Sequence, residues 1–176
     1  MRSGGFTLIE LMVTLALAAI LLTLAAPSLQ TLLANQRLSA SASNLMTTIM
    51  QARSTALQYN QRVIAQPLDG SSNSAGTWRS GWRIYRDANQ NSTFDDGTDT
   101  LVLIQEALPD GITLAKISGT NNFIGYNGSG FLASINGSDN STWKISSNAT
   151  TRVKYLIIER SGRARLCDPA SVSPCP

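Results

Sequence analysis

Two arginines one residue apart, Arg163 and Arg165, follow Gly162 near the C-terminus. Glycine permits a tight turn with positive φ. If the chain beyond it is extended, residues i and i+2 point to one face, about 6.6–6.8 Å apart. Two guanidinium forks at that separation can engage successive phosphates of one nucleic-acid strand. Lys144, Arg152, Lys154 and Arg160 lie nearby in the sequence and would widen such a patch. Binding of this kind is electrostatic and indifferent to base order. The plainer reading of the same residues is a set of solvated arginines that keep an edge hairpin soluble.

Other chemistry is scarce. The chain has no histidine, which removes the commonest general base and metal ligand. The two cysteines, Cys167 and Cys175, do not have a zinc or haem spacing. A disulfide closing a small terminal loop is the natural pairing, and it implies an oxidising compartment such as the periplasm. Asp87, Asn89 and Asn91 match the start of a calcium loop, but Ser92 replaces the required glycine and Thr98 the bidentate glutamate. A polar hairpin loop is the better reading. Trp78, Trp82 and Trp143 suit core packing better than a stacking platform. No nucleophile elbow, P-loop or activated cysteine is present, so no enzyme is expected, and no metal or cofactor. Residues 87–110 hold six acids and no base, whereas the C-terminal part is basic, which predicts one acidic and one basic face.

The elements that must position these residues begin with a long helix. Residues 6–26 are apolar apart from threonines and Glu10. At a rise of about 1.5 Å each they span about 31 Å, the hydrocarbon thickness of a bilayer. The small pair Gly4-Gly5 precedes this run, the reverse of a secretory signal. Cleavage there leaves the apolar helix on the mature chain. Thr7 and Glu10 fit a capping box, and a carboxylate in the first turn favours the helix dipole. Pro27 predicts a kink rather than an end, because apolar spacing resumes from Leu29 through Leu45, Ile49, Ala52 and Ala56 to Tyr59. The expected helix runs from Phe6 to about Asn60, with residues 27–60 amphipathic.

After Asn60 the period changes to short β-rich runs between turn signals. Strands are expected at 62–65, 82–86, 101–106, 112–117, 123–126, 131–135, 142–145, 153–159 and 163–166. Asp110-Gly111, Asn127-Gly128, Asn136-Gly137 and Ser161-Gly162 mark turns. Residues 71–76 read as a loop. The class is α+β, a long helix whose first half spans the membrane, packed on an antiparallel sheet domain. The division is 1–5 leader, 6–26 membrane and filament-core helix, 27–60 amphipathic half, and 61–176 globular domain with a C-terminal disulfide loop.

The block Gly5-Phe6-Thr7-Leu8-Ile9-Glu10-Leu11 resembles the leader of type IV prepilins and type II secretion pseudopilins. The resemblance implies the type IV pilin fold and a prepilin peptidase that cuts between Gly5 and Phe6 and methylates the new amino group. It implies that Glu10 meets the Phe6 ammonium of a neighbouring subunit during assembly. It also implies that Pro27 marks local melting of the helix in a filament. The order of later motifs, including Gly162-Arg163-Ala164-Arg165, is similar to the FimT/GspH group, closest to the DNA-binding FimT branch. That branch implies a minor pilin that binds DNA for uptake in natural transformation. The other member of the group implies a structural pseudopilin with protein partners only. Either way the expected partners are major and minor pilin subunits, and the expected place is the inner membrane with the globular domain periplasmic, then the cell surface.

Overall fold

The computed structural model describes residues 6–69, 78–119, 122–133, 140–171 and 175, with the backbone alone for 24–27. The leader 1–5, the loop 71–76 and the Asn136-Gly137 turn lie outside the described residues.

Helix α1 runs Leu8–Tyr59, 52 residues. Thr7 caps it: the residue is extended, at φ −82° and ψ 151°, and its Oγ1 accepts the Glu10 N–H at 3.3 Å. One arm of the capping box is thereby formed, with the Glu10 carboxylate in the positive first turn. At the far end Asn60 adopts the left-handed conformation, φ 49°, and its N–H donates to the Ala56 carbonyl. The helix continues through Pro27, and its parts Leu8–Thr23 and Ser28–Tyr59 are bent by 42°. Proline removes one hydrogen bond and crowds the preceding turn, which is a sufficient cause for a bend. Neither part alone is long and apolar enough to cross a membrane, whereas the bent pair meets that test by length and composition.

Two four-stranded antiparallel sheets pack against the second part of α1. The first orders β3 (Thr100–Gln105), β2 (Trp82–Arg86), β1 (Val63–Pro67) and β5 (Ile124–Tyr126). The second orders β4 (Ile112–Ser118), β6 (Ser141–Ser147), β7 (Val153–Ile158) and β8 (Ala164–Cys167). Leu38, Ala42, Leu45, Ile49, Ala52 and Ala56 form the buried stripe of the helix. Its alanines let both sheets approach the helix closely. Val63, Ala65 and Ile84 meet it from the first sheet, and Trp143, Ile145, Leu156 and Ile158 from the second. Trp78 joins the sheets, with its ring 5.7 Å from Trp82 and 5.0 Å from Trp143. The tryptophans are therefore core, as their sequence context suggested.

The expected strand at 131–135 is a correction. Leu132 makes a single bridge to Tyr126, and no strand forms over the described residues 131–133. The Asn127 side chain is the reason: its Oδ1 accepts from the N–H groups of Ser129 and Phe131, both at 3.0 Å. Those bonds fold the segment into a turn. The loop between β2 and β3 is a self-satisfied polar hairpin. Asp95 Oδ2 accepts from Asn89 at 2.8 Å and from Asn91 at 2.6 Å, which holds the Asp95 carboxyl below its ordinary range. Asp99 accepts the N–H groups of Ala88 and Asp95, both at 2.9 Å. Asp95 and Asp99 are thus engaged by the loop itself. On the outer face of the first sheet, Phe94 of this loop packs over Ile64, Tyr85 and Phe123.

Candidate functional site

The arginine hairpin is built by β7, a tight turn and β8. Ile157 pairs with Arg165 and Ile158 with Ala164. The Glu159 N–H then donates to the Arg163 carbonyl at 2.9 Å, and Gly162 N–H donates to the Glu159 carbonyl at 2.8 Å. Gly162 sits at φ 79°, and a Cβ there would strike the Gly130 carbonyl oxygen. Its glycine is required by the turn and by this close approach. Arg53 of α1 ties the hairpin down. Its Nε donates to the Gly130 carbonyl and its Nη2 to the Ser161 carbonyl, both at 3.1 Å. Sequence reasoning missed Arg53, because a lone arginine on an amphipathic helix carries no signal of what it holds.

The register decides which basic residues share a face. Residues paired across an antiparallel ladder lie on one side of the sheet. Leu156 pairs with Leu166 and Trp143, so those side chains face the helix. Arg165, two positions from Cys167 and directly across from Ile157, lies on the outer face. Lys144, paired with Tyr155, shares that face. Arg163 continues the alternation of Arg165 and is exposed at the turn.

Lys154 does not join them. It pairs with Ile145, which faces the core, and its Nζ contacts Asp168 Oδ2 at 3.5 Å. Arg152 is also separated. It precedes β7 at the end where Thr150 bonds Asn35 of the helix at 2.7 Å, whereas the Arg163 turn is held by Arg53. The six residues of β7, about 20 Å at the usual rise, divide the two ends. Proximity in sequence cannot reveal either fact, since it specifies neither register nor strand length. Arg160 is exposed in the turn beside Arg163, with its N–H donating to Asn140 Oδ1 at 3.0 Å.

The resulting patch is Arg160, Arg163, Arg165 and Lys144, with Glu159 inside it. Arg165 Nε lies 3.9 Å from Glu159 Oε1, with side chains 44% and 40% exposed. A pair that open to solvent contributes at most about 1 kcal/mol and leaves Arg165 able to exchange partners. Arg160 and Arg163 have no ion pair among the described residues. Cys167 is joined to Cys175 by a disulfide, with Cα atoms 5.9 Å apart, so the tail is fastened two residues from Arg165 on the same face.

The opposite end of the molecule has a different character. Every described side chain from Phe6 to Leu33 is exposed, including Phe6, Leu8, Ile9, Leu11 and Leu22. A helix with no polar face and no partner is suited to lipid or to the apolar helices of other subunits.

Known proteins fit this two-part form. The family described as Type II transport protein GspH matches residues 41–162, and the prokaryotic N-terminal methylation motif matches residues 1–26. The chain belongs to the GspH family of type IV minor pilins and pseudopilins. Its fold is similar to that of the minor pilin FimU of Pseudomonas aeruginosa, with a TM-score of 0.58 and 19% identity over 80% of this chain and 94% of that one. It is also similar to the minor pseudopilin EpsH from the type 2 secretion system of Vibrio cholerae, with a TM-score of 0.50 and 13% identity over 76% of this chain and 98% of that one. No curated protein sequence matches significantly. Members of the family are structural subunits rather than enzymes, and other pilin subunits are their partners. The methylation motif and apolar helix of this GspH-family chain accord with inner-membrane anchoring and pilus-type assembly. The family match ends at Gly162, so Arg163 and Arg165 lie beyond it.

Proposed function

We propose that this chain is a minor subunit of a type IV pilus whose arginine hairpin binds DNA without regard to sequence, for uptake in natural transformation. A prepilin peptidase cuts at Gly5-Phe6, and the mature chain waits in the inner membrane with its globular domain in the periplasm. Glu10 then neutralises the Phe6 ammonium of a neighbour as the helix enters the filament. The observation that carries the DNA reading is the outer face of the second sheet. Arg165 lies on that face, Arg163 and Arg160 are exposed at the turn that adjoins it, and the disulfide holds the tail nearby. Lys144 extends the patch, about 12 Å from Arg165 by strand spacing and rise. Arg152 and Lys154 are not part of it.

The second reading is a pseudopilin of a type II secretion system with protein partners only. The Arg165–Glu159 contact favours it, because it spends one of the two motif cations within the chain.

A mobility shift separates the two. A soluble fragment starting at Ser28 keeps the whole described core, since the first buried helix side chain is Ala34. It is expected to bind duplexes of unrelated sequence equally, with a log–log salt slope of about −0.9 per phosphate neutralised. Arg163→Gln with Arg165→Gln is expected to abolish most binding and leave folding unchanged, because exposed charges contribute about 0.5 kcal/mol or less. Glu159→Gln is expected to tighten binding. Absence of binding at low salt establishes the pseudopilin reading instead.

A further inference from the structure

The turn that carries Arg160 and Arg163 is fastened partly from outside its own hairpin. Within the hairpin, Gly162 N–H donates to the Glu159 carbonyl at 2.8 Å and Glu159 N–H to the Arg163 carbonyl at 2.9 Å. The Arg160 carbonyl instead accepts from the Leu132 N–H at 3.1 Å. The Ser161 carbonyl accepts from Arg53 Nη2, on helix α1 and 108 residues away in the chain. Arg53 Nε donates at the same time to the Gly130 carbonyl, the group against which Gly162 is packed. One guanidinium thus holds carbonyls from two separate loops, both at 3.1 Å.

Burial of apolar surface secures this junction only in part. Met50 and Leu57 flank Arg53 on the helix, and they are 58% and 51% exposed. A groove of about 300 Å³ lies between α1 and the hairpin there, lined by Met50, Arg53, Leu57, Tyr126 and Arg163 among others. The donors of a guanidinium sit in a rigid planar fork, so two acceptors bound to it are fixed relative to each other as well as to the helix. An ammonium in its place keeps the charge and loses the fork. Ser161, whose carbonyl Arg53 holds, stands between Arg160 and Arg163 in the chain. Fixing it sets the points from which both side chains reach solvent.

We propose that Arg53 is a positioning residue for the nucleic-acid site: it holds the Arg160–Arg163 turn to helix α1 and so presents both arginines to phosphates already ordered. What the turn binds rests on the DNA reading, while how it is held does not. Arg53 is given no phosphate in this arrangement, because Nε and Nη2 are engaged with carbonyls and the side chain is half-buried. Preorganisation raises affinity by removing the cost of ordering long side chains and their loop at the moment of binding.

The test uses the full-length chain in micelles of an uncharged detergent, with Arg53→Lys and Arg53→Gln as variants. Without DNA, amide hydrogen exchange in the parent is expected to show protection at Gly162 and Leu132. In either variant both amides are expected to exchange about tenfold faster or more, with β6 unchanged. Binding of a mixed-sequence duplex is then measured at a temperature where every chain is folded. Arg53→Lys and Arg53→Gln are expected to weaken it alike, by about tenfold. The log–log salt slope is expected to stay that of the parent, since the same phosphates are neutralised. An arginine with a merely structural role would leave binding by the folded variants at the parent's level, and that result overturns the proposal. So does parent-like binding by Arg53→Lys together with a slope reduced by about 0.9 in Arg53→Gln, which makes Arg53 a direct phosphate contact. Unprotected Gly162 and Leu132 amides in the parent overturn the clamp without any variant, even if Arg53→Gln does not fold. No binding by the parent at low salt overturns the DNA reading and the role in binding together, while the exchange rates still decide whether Arg53 holds the turn.

Discussion

Helix α1 is one run of hydrogen-bonded turns, yet residues 8–23 and 34–56 obey different rules. The first stretch is apolar on all sides and every side chain is exposed, among them Leu8, Leu15 and Leu22. The second buries a stripe of Ala34, Leu38, Leu45, Ile49 and Ala56 and exposes polar residues between them. Within the chain, the first stretch gains nothing from its hydrophobicity. Its apolar surface is stabilised only by lipid or by other helices, so its sequence is constrained by assembly. The second stretch is constrained by the fold. Burial of each large side chain there contributes about 1.5–3 kcal/mol.

Charge substitution should break this comparison most plainly. Ile49→Asp places a carboxylate at a fully buried site between two sheets. It is expected to cost at least about 4 kcal/mol, enough to unfold the soluble domain in circular-dichroism melts. Leu17→Asp, on the exposed stretch, is expected to leave the melting of the globular domain unchanged and to prevent membrane insertion. Glu10→Ala is expected to insert normally, melt normally and fail to enter filaments. Equal loss of thermal stability from Leu17→Asp and Ile49→Asp would mean that the two stretches are not distinct.

A smaller effect sharpens the role of the second stretch as a scaffold for the hairpin. Gly162→Val forces a β-branched residue into φ 79° and drives its Cβ toward the Gly130 carbonyl held by Arg53. About 3 kcal/mol of stability should be lost, read as a lower denaturation midpoint with an unchanged slope. The proposed DNA binding should fall with it at temperatures where the hairpin frays, but not where the domain stays folded.

The smallest expected effect concerns the tail. Cys175→Ser opens the terminal loop, and the chain-entropy relation gives about 2.5 kcal/mol for a loop of this size. The melt should shift modestly, and mild reduction of the parent should reproduce the shift. Thiol titration of unreduced domain should find no free cysteine.

Much of this molecule was legible in the linear chain. The cap at Thr7, the exit at Asn60 and the persistence of the helix beyond Pro27 follow from local rules. Capping, left-handed exits and apolar spacing involve residues within one or two turns. The strand at Trp82–Arg86 is where alternation and flanking glycine put it. The tryptophans were core and the cysteines were paired, because few alternatives existed for either. Tertiary structure alone decided the rest. Pairing register sent Lys154 to the core face and kept Lys144 beside Arg165, since a shift of one residue inverts every side chain on a strand. Strand length carried Arg152 to the far end from Arg163. Closure of the turn brought Glu159 within reach of Arg165. The chain's division between an apolar helix and a globular domain was set by composition. Which of six cations share one surface, and the hold that Arg53 has on their turn, depended on contacts between residues far apart in sequence, which no local pattern encodes.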